Sequence, residues 1–248
     1  MLNFQRSNLK GWLLATAAFP CRLLVYHRAR KRIVHAVQNH LETLAPLGID
    51  THDTALEFFP GPGAERYASE IFAAQGLADA TVIAFNPGAS HPVNRWSAGR
   101  FAELADRLAE GLAARVVIVG GREDVRLAEE IAAKAQSFPL VLTGRTDLLQ
   151  LGAVLRRCVL LVTGDTGPMH LATAVGTSVV ALFGAADPAR TGPVGSGHRV
   201  IQARSLVCVP CRSRHCSGAK QLECMTEISA EEVFHTVESM LAERDRRS

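Results

Sequence analysis

The chain has 248 residues, 48% of them hydrophobic and 6% aromatic, with a formal net charge of +3. That length accommodates one large domain or two small ones with a real core, and a composition led by alanine, leucine and valine suits a helix-and-sheet protein better than an all-β one. The mild positive charge comes without a basic patch interleaved with aromatics, which excludes nucleic acid as a partner class.

Residues 11–32, GWLLATAAFPCRLLVYHRARKR, are apolar and then basic. The uncharged run stops at Arg22 and contains Pro20, well short of the roughly 20 apolar residues of a membrane span. The basic cluster Arg28–Arg32 follows the apolar run instead of preceding it, opposite to a secretory signal. The segment reads as a partly buried helix with a solvated basic end, or as an amphipathic helix resting on an acidic membrane face. A helix is expected over 33–49, and a Pro/Gly-rich connection leading into a helix over 58–76. No set of strands in the first eighty residues closes a sheet, so 1–78 is expected to be a mostly helical segment with a linker.

From residue 79 the pattern changes. Short β-branched runs at 81–85, 115–120, 139–142, 158–163, 178–183 and 199–203 read as strands covered on both faces. Helical stretches lie between them. Residues 97–112 place Phe101, Leu104, Ala105, Leu108 and Leu112 on one face, and 123–136 and 146–158 repeat the pattern. Such alternation implies an α/β domain over 79–248: a parallel sheet of about six strands with helices on both faces and a final helix at 229–245.

Ligands of such sheets sit outside the carboxyl ends of the strands. In NPGASHPVNRW (86–96), Gly88 admits close backbone approach, Ser90 offers a hydroxyl and Arg95 a forked charge for phosphate; an ordinary turn with a solvated arginine explains it equally. After 115–120, Glu123 and Asp124 either favour a helix start electrostatically or accept hydrogen bonds from a ribose diol. After 139–142, Thr146 or Asp147 caps a helix. The richest loop is GDTGPMH (164–170): Gly164 and Gly167 permit a bend, Pro168 suits the first helical position, and the helix start is suited to an anion. Thr166 adds a hydroxyl and His170 lies on the first turn. Asp165 is repulsive beside a phosphate, so it either fixes the loop through backbone N–H groups or holds sugar hydroxyls.

Six cysteines are present. Cys21 and Cys158 stand alone, while Cys208, Cys211, Cys216 and Cys224 cluster with C-x2-C-x4-C-x7-C spacing. That set could hold structural zinc or an iron–sulfur centre; the plain alternative is a thiol-rich connector to the last helix.

NPGASHPVNRWSAGRFAELADRL, TGDTGPMHLATAVGTSVVALFGAADP and CVPCRSRHCSGAKQLECMTEISAEEV resemble the heptosyltransferase family of bacterial lipopolysaccharide core assembly, glycosyltransferase family 9. The resemblance is strongest over 80–245. It implies a GT-B fold of two facing Rossmann-like domains, of which this chain carries the donor-binding C-terminal one, preceded by the end of the acceptor domain. It implies inverting transfer of heptose from ADP-heptose to the inner core, in the cytoplasm or peripherally at the inner membrane, with no required cofactor. Asp165, Thr166, Gly167 and His170 would hold the donor sugar and diphosphate, Ser90 and Arg95 phosphate, and Glu123 or Asp124 the adenosine ribose. The family's phosphate lysine appears here as Asn94. The acceptor's catalytic base belongs to the acceptor domain, and no candidate for it precedes residue 80. The competing expectations are a non-catalytic nucleotide-sugar binding remnant, a transferase with another donor, and a metal-binding interaction domain built on the cysteines.

Overall fold

The computed structural model describes residues 34–89, 91–203, 205–217 and 222–246, with the backbone of 2–3 and 24–25. The chain divides into two compact units, Met1–Thr54 with Ala189–Thr191, and Ala55–Pro188 with Gly192–Ser248.

In the first unit, β1 (Leu2–Asn3) pairs in parallel with β2 (Leu24–Val25). Leu24–Val25 lie inside the segment read from sequence as a helix, and are strand instead; the rest of 11–32 lies outside the described residues. α1 (Ala36–Leu41) is capped by His35, whose Nδ1 accepts from the Val37 N–H, and it tightens into a 3-10 turn over Glu42–Leu47. Pro46 sits in that turn, and Gly48 ends it with φ 73°, the left-handed conformation that glycine adopts without strain.

The second unit is an α/β domain. α2 (Gly61–Ala74) leads into β3 (Val82–Asn86), α3 (Ala98–Leu112), β4 (Arg115–Ile118), α4 (Val125–Lys134), β5 (Leu140–Val141), α5 (Leu148–Arg157), β6 (Leu160–Gly164), α6 (Gly167–Ala174), β7 (Ser178–Phe183), β8 (Arg199–Gln202), α7 (Glu223–Thr226) and α8 (Ala230–Asp245). All six strands are parallel in the order β5-β4-β3-β6-β7-β8. The expected strands and helices are therefore present, with ends shifted by a residue or two.

Alternation along the strands builds two cores. Ile83, Phe85, Val116, Ile118, Val162 and Leu182 pack with α3, α4 and α8. Val82, Ala84, Val117, Leu161, Ala181 and Phe183 pack with α2, α5 and α6. α2 presents Ala64, Ala68 and Phe72, spaced four apart on one face, to the second core. The division between the units thus falls at Thr54/Ala55, ahead of the boundary expected after residue 78, because α2 buries its apolar stripe on the sheet.

This packing has a measurable consequence. Phe72 is 2% exposed, and Phe72→Ala is expected to cost the α/β domain about 3–5 kcal/mol, the usual range for a buried aromatic truncated to alanine. Urea unfolding monitored at the domain's own transition reads this; an unchanged midpoint would show that α2 does not stabilise the sheet.

Candidate functional site

Counting its strands from the first in sequence, the sheet order is 3-2-1-4-5-6, and the chain reverses direction of travel between β3 and β6. Connections on either side of that point leave a crevice at the carboxyl ends of the two strands, where open α/β sheets bind ligands. The loop 86–96 follows β3 and GDTGPMH follows β6, so the two richest loops of the sequence flank this crevice.

Asn86, the last residue of β3, pairs in register with Thr163 of β6. Its side chain is buried at 2% exposure. The Asn86 Nδ2 donates to Thr163 Oγ1 at 2.9 Å and to Thr166 Oγ1 at 3.0 Å. The two threonine hydroxyls lie 3.0 Å apart, and Thr163 Oγ1 reaches the Gly164 carbonyl at 3.2 Å. Thr166 is the N-cap residue of α6, yet its hydroxyl makes no capping bond to the helix.

The two glycines of the turn do different things. A Cβ on Gly164 would meet the Asn94 carbonyl oxygen at 3.1 Å, whereas one on Gly167 would meet nothing within 4 Å. Gly164 is fixed by the close approach of the loop after β3. Gly167 is exposed, and its lack of a side chain leaves the mouth of α6 uncovered. Asp165 and His170 are half-buried.

Across the crevice, Arg95 donates to the Ala89 carbonyl at 3.3 Å and lies 4.0 Å from Asp124 Oδ1. The guanidinium is largely exposed, while Asp124 is buried. The two acids after β4 part company. Glu123 is exposed and folds back over Gly121. Asp124 makes no capping bond to α4; it packs under Gly88, where a Cβ would overlap its carboxylate, and beside Gly120. Burial pushes the Asp124 carboxyl up from its ordinary 3.8, with the Glu123 charge adding to the rise, against the lowering effects of the Gly121 N–H and Arg95. Glu123 thus stays exposed, and Asp124 is the residue that seats the loop after β3 against the loop after β4. Asp147 forms the cap of α5 as a capping box with Gln150. Ser90 lies outside the described residues.

Behind this edge, Trp96 Nε1 donates to the Ile228 carbonyl at 2.9 Å, and a Cβ on Gly184 would meet Cys224 Sγ at 3.0 Å. Cys208, Cys211, Cys216 and Cys224 share the lining of one cavity of about 240 Å³ with Val93 and Ala185. The Leu222 N–H donates to Cys216 Sγ at 3.4 Å. Burial and the neighbouring thiols raise the Cys224 thiol's pKa. Among the described residues, no three His, Cys, Asp or Glu side chains form a ready set of metal ligands. Cys158 is in the core, its thiol pushed up by burial to about 12.

A parallel sheet with a polar crevice at its switch point, a helix start at one lip and an arginine at the other, defines a Rossmann-like α/β domain. A family model described as glycosyltransferase family 9 (heptosyltransferase) matches residues 5–222, and the chain belongs to that family. It is 29% identical over 164 residues to lipooligosaccharide heptosyltransferase 2 of Campylobacter jejuni, covering 64% of this chain and 51% of that protein. It is 37% identical over 127 residues to lipopolysaccharide heptosyltransferase 2 of Salmonella typhimurium, covering 49% of this chain and 36% of that one. The solved glycosyl transferase family 9 structure from Veillonella parvula superposes with a TM-score of 0.76 at 29% identity, over 91% of this chain and 65% of that chain. The chain thus spans about half the length or less of these two curated relatives. The family match reaches back to residue 5, so the first eighty residues share in it alongside the α/β domain that carries the quoted motifs.

Sequence reasoning missed Asn86 as a site residue. A polar residue closing an otherwise apolar strand, VIAFN, was the available signal.

The Asp124 carboxyl gives a pH prediction. Its folded-state pKa lies above the unfolded value, so the folded form holds the proton longer, and stability falls as pH rises from about 3.8 through the raised pKa. Asp124→Asn removes that loss. The variant is expected to melt higher than the native chain at neutral pH, with the gap closing below about pH 4; a gap independent of pH would overturn the assignment.

Proposed function

We propose that this chain supplies the donor-binding half of an inverting heptosyltransferase that transfers heptose from ADP-heptose to the lipopolysaccharide inner core at the cytoplasmic face of the inner membrane. The observation that carries this is the position of residues 164–170 at the switch point of a 3-2-1-4-5-6 sheet, in a chain of a family described as heptosyltransferase.

In this reading the acceptor hydroxyl oxygen attacks the anomeric carbon from the face opposite ADP. A new C–O bond forms, the bond to the diphosphate oxygen breaks, configuration inverts, and the hydroxyl proton passes to a base on the acceptor-binding side. The donor half acts on the leaving group. Charge grows on the diphosphate as the bond breaks, and fixed dipoles and cations already aimed there stabilise it without reorganising. The first turn of α6, the Thr166 hydroxyl, His170, Ser90 and Arg95 are assigned to the diphosphate; Gly167 lets it approach. Asp165 takes the sugar hydroxyls and Glu123 the ribose diol.

One observation favours a different donor sugar within the same chemistry. Asn94 stands where the family's lysine is expected, and its Oδ1 is buried with no hydrogen-bond partner. A neutral amide there cannot supply the lysine's charge, which falls to Arg95 alone.

A structural metal at Cys208, Cys211, Cys216 and Cys224 is a separate proposal, supported by the thiols' shared cavity and by the preference of zinc and iron for thiolate. Binding would draw the thiols inward from the cavity walls. Stoichiometric zinc or iron in freshly purified protein, lost in Cys211→Ser, is the expected result; metal-free protein overturns it.

The donor assignment is tested by calorimetry with a panel of nucleotide-sugars. The native chain is expected to bind ADP-heptose ahead of UDP- and GDP-sugars. Asp165→Ala and His170→Ala are each expected to weaken it about tenfold, the size of one hydrogen bond involving a charged group, while Lys134→Ala on exposed α4 leaves it unchanged. Equal affinity in all four proteins would sink the assignment.

A further inference from the structure

We propose that Asn86 is a positioning residue for the donor site: it holds the Thr166 hydroxyl down against the sheet, so that this hydroxyl does not cap α6 and the first turn of the helix stays open to the donor's diphosphate. This inference rests on the donor-binding reading above and extends it to a residue that never touches the ligand.

The buried amide is the starting point. Val82–Phe85 are wholly apolar and buried, and Asn86 follows them at 2% exposure. A buried amide is costly unless its hydrogen-bonding groups are met. Nδ2 carries two donors, and both are met by the Thr163 and Thr166 hydroxyls at 2.9 and 3.0 Å. The partners come from a strand and a turn 77 and 80 positions away, joined to Asn86 through the β3–β6 register.

Thr166 shows what the amide does. Its backbone is extended, with φ −146° and ψ 164°, the conformation from which an N-cap threonine usually accepts a hydrogen bond from the second or third helical N–H. Other helices of this domain are capped in that way: Ser97, Asp147 and Ser229 each accept from the N–H three residues on. Thr166 alone among these four is turned away from its helix, and the groups that engage it are the Asn86 amide and the Thr163 hydroxyl. Thr163 can give its proton to the Gly164 carbonyl at 3.2 Å, which leaves the Thr166 proton as the one in the trio able to turn toward a ligand oxygen. The first helical N–H groups have no acceptor within the helix, and Pro168 brings no N–H of its own. With Gly167 leaving the mouth uncovered, the same turn offers a hydroxyl donor and helix N–H groups to one anion. Without Asn86, the Thr166 hydroxyl is left with the Thr163 hydroxyl and loses the amide donor that holds it off α6, so it can rotate to cap the helix in competition with the diphosphate.

A role confined to stabilising the sheet would lower the affinity for every ligand of the domain together. A positioning role acts on the phosphates. The test compares ADP with adenosine, using the full chain, calorimetry for ADP and ligand-observed NMR for adenosine. Asn86→Ala is expected to weaken ADP about tenfold and to leave adenosine within about twofold. Thr166→Val, which keeps the shape and removes the hydroxyl, is expected to do the same, and the double variant to be no weaker than Thr166→Val, because Asn86 acts through that hydroxyl. Thr166→Ser is expected to bind ADP as the native chain does. ADP affinity unchanged in Asn86→Ala, a parallel loss of ADP and adenosine, or additive losses in the double variant would each overturn the proposal. Where Asn86→Ala does not fold, Asn86→Ser with the same pair of ligands decides it by the same criteria. A native chain that binds no ADP overturns the donor-binding reading itself and this inference with it, whereas ADP binding that is indifferent to Asn86 overturns the inference alone.

Discussion

The pairing of β3 with β6 is the contact on which the ligand edge depends. It sets Asn86 beside Thr163, although 77 positions separate them in the chain. It also brings the loop after β3 to the lip of GDTGPMH, closely enough that a Cβ on Gly164 would meet the Asn94 carbonyl oxygen at 3.1 Å. Parallel strands pair through evenly spaced, slanted hydrogen bonds and need long crossovers. The two crossovers leaving this pair depart to opposite sides, and the crevice is the space they cannot fill.

Around that pair the domain is tied together by hydrogen bonds to main-chain carbonyls. Trp96 reaches Ile228, and the Gln202 amide reaches Ala186 at 3.2 Å. The Arg212 N–H meets the Ala185 carbonyl at 2.7 Å. The last of these fastens the cysteine-bearing segment to the loop after β7. A change at the thiols is therefore mechanically close to the ligand edge.

Much of this architecture was legible in the sequence, and the reasons are local. Strand runs such as SVVALF and the capping signal at Thr146 or Asp147 are governed by neighbours a few residues away. The carboxyl-edge rule then located GDTGPMH without any coordinates. What was not legible depends on contacts between distant segments. Asp124 carries the same helix-start signal as Glu123, and only the fold reveals that Asp124 turns under Gly88 while Glu123 stays in solvent. The α2 stripe announces a helix that buries one face, but not which sheet it covers. Asn86 looks like the first residue of a turn until its register with Thr163 is known. The thiol spacing signalled a cluster, which the shared cavity agrees with, while ligand-like geometry is a matter of ångströms that spacing cannot encode.

The two halves of the sheet, β3–β5 and β6–β8, pair along the β3–β6 seam. Each half consists of near-neighbour βα connections, so each can gather locally, whereas the seam requires closure across a long stretch of chain and is slow by the same measure. The crevice has one lip on each half. On a ribosome, the lip carrying Asn86 and Arg95 emerges well before the lip carrying Thr166 and His170, and the nascent chain has no complete pocket until the seam forms. A ligand held by both lips stabilises only the joined state, so it would capture the domain at the last step of its assembly and not before.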